Sequence, residues 1–242
     1  MGKFTSAVIL AAGNGTRFGG KVKKQFVEVL GVPCVVRTVQ AFEDCPLIDE
    51  IILVGDPQAL SEIFSAYSFK KIAKIISGGE TRQDSALRGF DCVSDKSRYV
   101  AIHDAARCLV TPEIIDRVCA AAVKYSAATA ATRCTDTVKI SGKNKFVDHT
   151  ENRDHVWLAQ TPQVFLCDLY RAASYIAEES HIDPTDDNAL IENVNHKVRL
   201  VECGKYNMKI TTPEDLVVAC SIFKAREAFP PTLPEDKDKD EE

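Results

Sequence analysis

The sequence predicts an α/β fold: a mostly parallel twisted sheet, Rossmann-like, with helices on both faces and a protruding β-hairpin arm. Three observations carry this. Short β-rich apolar runs alternate with segments of helical pattern, polar glycine-bearing loops follow several of those runs, and the alternation breaks at one stretch that reads as a hairpin. The 242 residues suit one domain with a sizeable core. We expect that domain over residues 1–229, with the arm at about 136–150 and a disordered acidic tail at 230–242.

The first strand is expected at residues 6–11. It runs into Leu10-Ala11-Ala12-Gly13-Asn14-Gly15-Thr16-Arg17-Phe18-Gly19-Gly20-Lys21-Val22-Lys23-Lys24-Gln25-Phe26, which holds four glycines and four cations. Glycines without Cβ, Gly13 and Gly15 first among them, let backbone N–H groups turn toward an anion at close range. Arg17 and Lys24 add fixed positive charge suited to a polyphosphate. The loop therefore reads as a nucleoside triphosphate site. It is not a dinucleotide fingerprint, because Phe18 stands where the third glycine belongs, and it is not a Walker A loop, because Val22 stands where the magnesium-binding Ser or Thr belongs.

Helical patterns near residues 35–42 and 59–66 flank a strand at 50–54, and a further strand follows at 72–76. That strand leads to Gly78-Gly79-Glu80-Thr81-Arg82-Gln83-Asp84-Ser85, two glycines followed by a helix start over 82–92 with Thr81 as candidate N-cap. Ser85, in the first helical turn, is suited to hydrogen-bonding a base edge, the alternative being a turn that only caps itself. A strand at 99–103 closes on His103-Asp104-Ala105-Ala106-Arg107. A carboxylate near a polyphosphate is costly unless positive charge lies between them. Asp104 is thus a candidate magnesium ligand and Arg107 a candidate phosphate ligand, the alternative being an internal Asp-Arg ion pair. His103 reads as a structural donor. A helix near 112–124 and a strand at 127–132 complete the alternation, and ligands of such sheets lie beyond the strand carboxyl ends.

Residues 136–149 read as a β-hairpin around the polar turn Ser141-Gly142-Lys143-Asn144. A projecting hairpin has edges to cover, which points to a homodimer arm; the alternative is a hairpin folded onto its own domain. A second polar set follows at Arg153, Thr161-Pro162-Gln163, Thr185-Asp186 and Lys209. Asn207-Met208-Lys209-Ile210-Thr211 is strand-like, with Lys209 turned toward a cleft. Thr212 and Pro213 are the expected N-cap and first residue of a last helix.

A net charge of −5 argues against a binder of nucleic-acid polymers. Nine scattered cysteines without a C-x-x-C pair indicate buried thiols rather than a zinc site or disulfide framework. There is no signal-peptide pattern and no membrane-length apolar run, so the expected location is the cytoplasm.

L-A-A-G-x-G-x-R with K-Q-F, G-G-x-x-R-x-x-S, H-D-A-A-R, D-T-V-K, R-x-x-V-W-x-A-Q-T-P-Q-x-F, T-D and N-x-K-I-T-x-P-E-D occur in this order across residues 5–220. Together they resemble the 2-C-methyl-D-erythritol 4-phosphate cytidylyltransferases of non-mevalonate isoprenoid synthesis. The resemblance implies CTP as co-substrate, Mg²⁺ as cofactor and a homodimer. It implies that Arg17, Lys24 and Lys209 surround the CTP phosphates, that Ala11, Ala12, Gly79 and Ser85 recognise cytosine, and that Glu80 and Asp104 lie near the ribose and metal. Thr137, Arg153 and Thr161 would hold the polyol phosphate, with Arg153 supplied by the dimer neighbour and Thr211 in the same substrate set. Lys23 and Cys108 stand where the family commonly has proline. A ribitol 5-phosphate cytidylyltransferase, a hexose-phosphate uridylyl- or guanylyltransferase and a non-catalytic nucleotide-binding protein are the competing readings.

Overall fold

Every residue of strand β1 (Thr5–Leu10) is buried. Ala7 and Ile9 enter one apolar core while Val8 and Leu10 enter another, as the two-residue period of a strand requires. A strand buried on both faces belongs inside a sheet covered by helices on each side. The computed structural model describes residues 4–13, 24–180, 184–229 and 233, and its layers follow that logic.

After β1 come β2 (Glu28–Val29), β3 (Val32–Pro33), α1 (Cys34–Asp44), β4 (Glu50–Gly55), α2 (Pro57–Phe64), β5 (Ile72–Ser77), α3 (Arg82–Phe90), β6 (Tyr99–Asp104), α4 (Pro112–Tyr125) and β7 (Ala127–Arg133). Then follow β8 (Lys139–Ser141), β9 (Val147–Thr150), β10 (Trp157–Leu166), α5 (Cys167–Glu179), α6 (Asp187–Asn193), β11 (Arg199–Glu202) and α7 (Pro213–Ala228). Seven strands form the central sheet in the order β5-β4-β1-β6-β10-β7-β11. All neighbours pair in parallel except β10, which runs antiparallel to both β6 and β7. Helices α1, α2 and α4 cover one face, with Val39, Phe42, Leu60 and Val118 in its core. Helices α3, α5 and α6 cover the other through Phe90, Tyr170 and Ile191. Helix α7 packs Ala219 on a smaller cluster with Val29, Cys108 and Ile210.

The mostly parallel sheet with helices on both faces is as expected, and so are the strands and helices anticipated before residue 133. Three later features differ. Strand β10 enters the middle of the sheet where only a polar set was foreseen. Its Gln160, Thr161, Pro162 and Gln163 look like loop residues, yet all four are buried. Proline is tolerated there because the β10/β7 register shifts between Ala159 and Gln163. Helices α5 and α6 and strand β11 were not anticipated. Residues 207–211 are irregular rather than a strand, held by side-chain bonds described below.

Strands β8 and β9 pair as the expected hairpin, exposed along both strands. At its tip Phe146 is 73% exposed. All nine cysteines are free thiols; six are buried and Cys92, Cys134 and Cys220 are half-buried, fewer than expected in the interior. Among the described residues no helix is long and apolar enough to cross a membrane. Of the tail expected to be disordered, only Leu233 is described, packed against the first core.

Candidate active site

The carboxyl ends of β1 and β6 and the turn after β5 surround a cleft of about 320 Å³, within the size range of small-molecule sites. Leu10, Ala12 and Gly13 line it from the first turn, Gly79 to Arg82 and Ser85 from the β5–α3 turn, Asp104 and Ala106 from the end of β6, and Lys209 from the segment before α7.

The first turn is fixed from beneath. Buried Gln25 donates through Nε2 to the carbonyls of Ala11 (2.6 Å) and Gly13 (3.1 Å). Ala11 N–H donates to Val54 at 2.6 Å and Gly78 N–H to Gly55 at 3.1 Å, so the two loops extend the strand ladder side by side. Only glycine fits at 78, since a Cβ there would collide with the Cβ of Ala12. The β5–α3 turn closes on itself. Thr81 Oγ1 accepts from Asp84 N–H and Asp84 Oδ2 from Thr81 N–H, both at 3.0 Å, a reciprocal cap that uses two otherwise orphaned donors. Ser85 Oγ accepts from Gly79 N–H at 3.0 Å and donates to the Thr81 carbonyl at 2.9 Å. Its hydroxyl thus holds the turn while its side chain lines the cleft.

Asp104 is the electrostatic centre. Lys209 Nζ lies 2.6 Å from its Oδ2 and Arg82 Nε 3.1 Å from its Oδ1. Burial alone would raise this carboxyl; Arg82 and Lys209, with Arg107 farther off, outweigh it and hold Asp104 well below the usual carboxylate range. Burial likewise opposes the charge on Arg82, but Asp187 and then Asp104 hold it above its ordinary value. Lys209 reaches the cleft because its segment is strapped down: Asn207 Nδ2 donates to Gln160 Oε1 (3.0 Å) and the Thr161 carbonyl (2.8 Å), and Ile210 N–H to Ala106 (2.8 Å).

Behind the carboxylate, Asp104 N–H donates to Thr161 Oγ1 at 3.1 Å, and that hydroxyl lies 3.0 Å from His103 Nδ1. The Arg107 carbonyl, 3.4 Å from Nε2, can only accept, which assigns the ring proton to Nε2 and leaves Nδ1 to accept from the Thr161 hydroxyl. Burial lowers His103 to about 3, so it stays neutral.

Of the residues singled out in the sequence, Ala12, Gly13, Gly79, Glu80, Ser85, Asp104 and Lys209 line the cleft. Ala11 is buried beneath it. Thr161 is buried behind Asp104, its hydroxyl committed as above. Arg107, half-buried, donates from Nη1 to the Asn207 carbonyl at 3.0 Å, and its buried Nε has no partner among the described residues. Asp104 is ion-paired, but with Arg82 and Lys209 rather than with Arg107 as the alternative reading had it. Thr211 donates its amide to Asp215 at 2.8 Å. Thr137 and Arg153 are exposed near the arm, Arg153 donating to the Thr135 carbonyl at 3.1 Å, and neither lines the cleft. Gly15, Arg17 and the Lys24 side chain lie outside the described atoms; the Lys24 backbone opens a short 3-10 turn, Lys24–Phe26.

Residues 5–225 match the sequence model of the 2-C-methyl-D-erythritol 4-phosphate cytidylyltransferase family. The chain belongs to this family. A family protein of Alkaliphilus oremlandii is 40% identical over 226 residues, covering 92% of this chain and 96% of that protein. One of Caldanaerobacter subterraneus subsp. tengcongensis is 40% identical over 218 residues, with 88% and 96% covered. The solved 4-diphosphocytidyl-2C-methyl-D-erythritol synthase of Anaerococcus prevotii has a TM-score of 0.82 at 33% identity, covering 92% of this chain and 96% of its own. The cytidylyltransferase of Francisella tularensis gives 0.76 at 30%, with 89% and 98% covered.

For a cytidylyltransferase read from its sequence, three residues of this site went unassigned: Gln25, Arg82 and Asn207. Each occupies a named position in a motif quoted above, in K-Q-F, G-G-x-x-R-x-x-S and N-x-K-I-T, so the signal was present without a role attached. Cys108, one of the two departures from the resembled pattern noted above, is buried with Val29 and Leu109 in the cluster under α7.

Proposed function

We propose that this chain joins CTP to 2-C-methyl-D-erythritol 4-phosphate, forming 4-diphosphocytidyl-2-C-methyl-D-erythritol and pyrophosphate in isoprenoid synthesis in the cytoplasm. The observation that carries the reading is the meeting of Arg82 and Lys209 on Asp104 beside a glycine-lined turn, in a chain of this family. A phosphate oxygen of the polyol phosphate attacks the α-phosphorus of CTP in line, a new P–O bond forms, and the bond to the β-phosphate oxygen breaks to release pyrophosphate. The nucleophile is already an anion, so no strong base is required, which agrees with a neutral, buried His103.

What the reaction needs is two mutually repelling anions held in line and charge neutralised on the α-phosphate. Lys209, Arg17 and Lys24 take that role. Ala11, Ala12, Gly13, Gly15, Gly79 and Ser85 form the cytidine side, with Glu80 at the ribose. Arg107 and Thr211 are assigned to the second phosphate side, with Thr161 supporting it from behind through the Asp104 amide, and the partner protomer brings Thr137 and Arg153 on its arm, which makes the working unit a homodimer.

Two carboxylates, Glu80 and Asp104, line the cleft. Magnesium is commonly held by one or two carboxylates together with substrate phosphates rather than by an all-protein cage, so this donor set fits Mg²⁺ carried in with CTP and met by Asp104. When bound, the ion neutralises triphosphate charge. The test is pyrophosphate release from CTP and Mg²⁺ with methylerythritol phosphate and ribitol 5-phosphate in parallel. Release with methylerythritol phosphate is expected; turnover of ribitol 5-phosphate alone, or of neither, overturns the reading.

A further inference from the structure

Asp187 is fully buried at the start of α6, and no step of the proposed reaction uses it. Its Oδ2 receives Arg82 Nη1 at 2.6 Å, its Oδ1 receives the Tyr170 hydroxyl at 2.7 Å, and its own N–H donates to Gln163 Oε1 at 3.1 Å. Gln163 passes the chain on, donating from Nε2 to Asp186 Oδ2 at 2.8 Å, and Asp186 Oδ1 caps α6 by accepting from Ala189 N–H at 3.1 Å. Tyr170 cannot shift, being stacked on Phe165 at 5.4 Å between ring centroids and set edge-on to Phe90 at 4.9 Å.

A buried ion pair of this kind is poor value as a stabiliser, since apolar residues of similar volume often serve as well or better. Its geometry is suited to something else. Arg82 is gripped at two points, Nη1 by Asp187 and Nε by Asp104, and two fixed points on a planar guanidinium define its orientation. Arg82 also lines the cleft, and three of its five N–H donors lie outside these two bonds.

We propose that Asp187, anchored by Tyr170 and Gln163, is a positioning residue that sets the Arg82 guanidinium across the cleft and thereby turns Asp104 to receive Lys209. The connection runs from the core under α5 and α6 to the reacting phosphates. It rests on the function proposed above for its catalytic consequence, but its structural half stands alone.

The test uses the full chain. In Asp187→Asn, which preserves volume, kcat/KM for CTP is expected to fall about 10²-fold, the scale of a misplaced catalytic group. Tyr170→Phe removes one bond to the carboxylate and is expected to cost about tenfold. Combining Asp187→Asn with Arg82→Ala is expected to be no worse than Arg82→Ala alone, whereas a general packing role would add. The Nε–H resonance of Arg82, assigned through Arg82→Lys, is expected to be sharp in the wild type and broadened or lost in Asp187→Asn. An unchanged resonance, or additive losses, overturns the proposal. A wild type that turns over neither substrate defeats the proposed function, and the resonance then decides the positioning role by itself.

Discussion

Lys209 Nζ sits 2.6 Å from Asp104 Oδ2, although 105 residues separate them in the chain. The contact makes Asp104 the counter-ion that keeps a lysine at the mouth of the cleft before any nucleotide arrives. The carboxylate and both its cations are mostly shielded, with side-chain exposures of 10%, 30% and 31%, so losing the negative charge leaves two cations facing each other.

Asp104→Asn is accordingly expected to lower kcat by about 10²-fold, as removing one preorganised charge-stabilising group does elsewhere. It should also lose about 1–3 kcal/mol of stability through the orphaned charged donors. Steady-state pyrophosphate release and urea unfolding measure the two effects. Lys209→Ala should match it in rate and cost less in stability, because Arg82 still serves Asp104.

Acid should weaken the fold in two windows. His103 is neutral when folded down to about pH 3, whereas an unfolded histidine takes up a proton below about 6.5. Between those values the unfolded state binds more protons, so stability falls as pH falls, by up to about 1.4 kcal/mol per pH unit. Asp104, depressed in the folded state, contributes stability that is complete above the unfolded carboxyl range and is lost as pH drops below it. Urea midpoints from pH 7 to 4 should decline in the wild type and flatten in His103→Gln; an equal slope in both removes His103 as the cause.

Gln25→Leu keeps the bulk but strips two carbonyls, Ala11 and Gly13, of their donor. A loss of about 1–3 kcal/mol is expected from the unsatisfied carbonyls, with weaker CTP binding because the first turn loses its underside. Calorimetric titration with CTP is the measurement, and unaltered affinity would show that the turn holds its shape without Gln25.

Gly78→Ala places a methyl group on the Cβ of Ala12, which has no rotamer by which to move away. Overpacking of about 1–3 kcal/mol is expected, and it should appear as a raised KM for CTP, since both loops line the cleft proposed to take CTP.

If Arg153 and Thr137 act across a dimer, Arg153→Ala and Lys209→Ala protomers, each inactive alone, should regain about a quarter of wild-type activity when mixed and allowed to exchange, because half the dimers then hold one intact site. No recovery on mixing, with exchange shown by a mass-labelled subunit, would put Arg153 in the site of its own chain.

Strands β1, β4, β5 and β6 were legible because continuous apolar runs bounded by polar turns have few other uses. Strand β10 was not, since Gln160, Thr161 and Gln163 are buried for hydrogen bonding and Pro162 is accommodated by a register shift, neither of which follows from local pattern. The turns at Gly13 and Gly78 announced themselves through glycine spacing. The place of Lys209 was read correctly for a mistaken reason: strand alternation suggested it, whereas Asn207 and the Ile210 amide hold an irregular segment in place. Arg82 offered no periodic signal, because an ion pair between distant segments depends on which strands become neighbours, and that is decided by the whole sheet.

The antiparallel β10, lying between β6 and β7, has a bearing on how the chain is made. A nascent chain that has emerged as far as β7 still lacks the strand that must lie between β6 and β7, and with it the Thr161 hydroxyl that receives the Asp104 amide. Pairings of such long sequence separation form late. The first turn, held by Gln25 and Val54, has its partners close behind it in the chain, but the cleft it opens onto cannot take shape until Lys209 has left the ribosome.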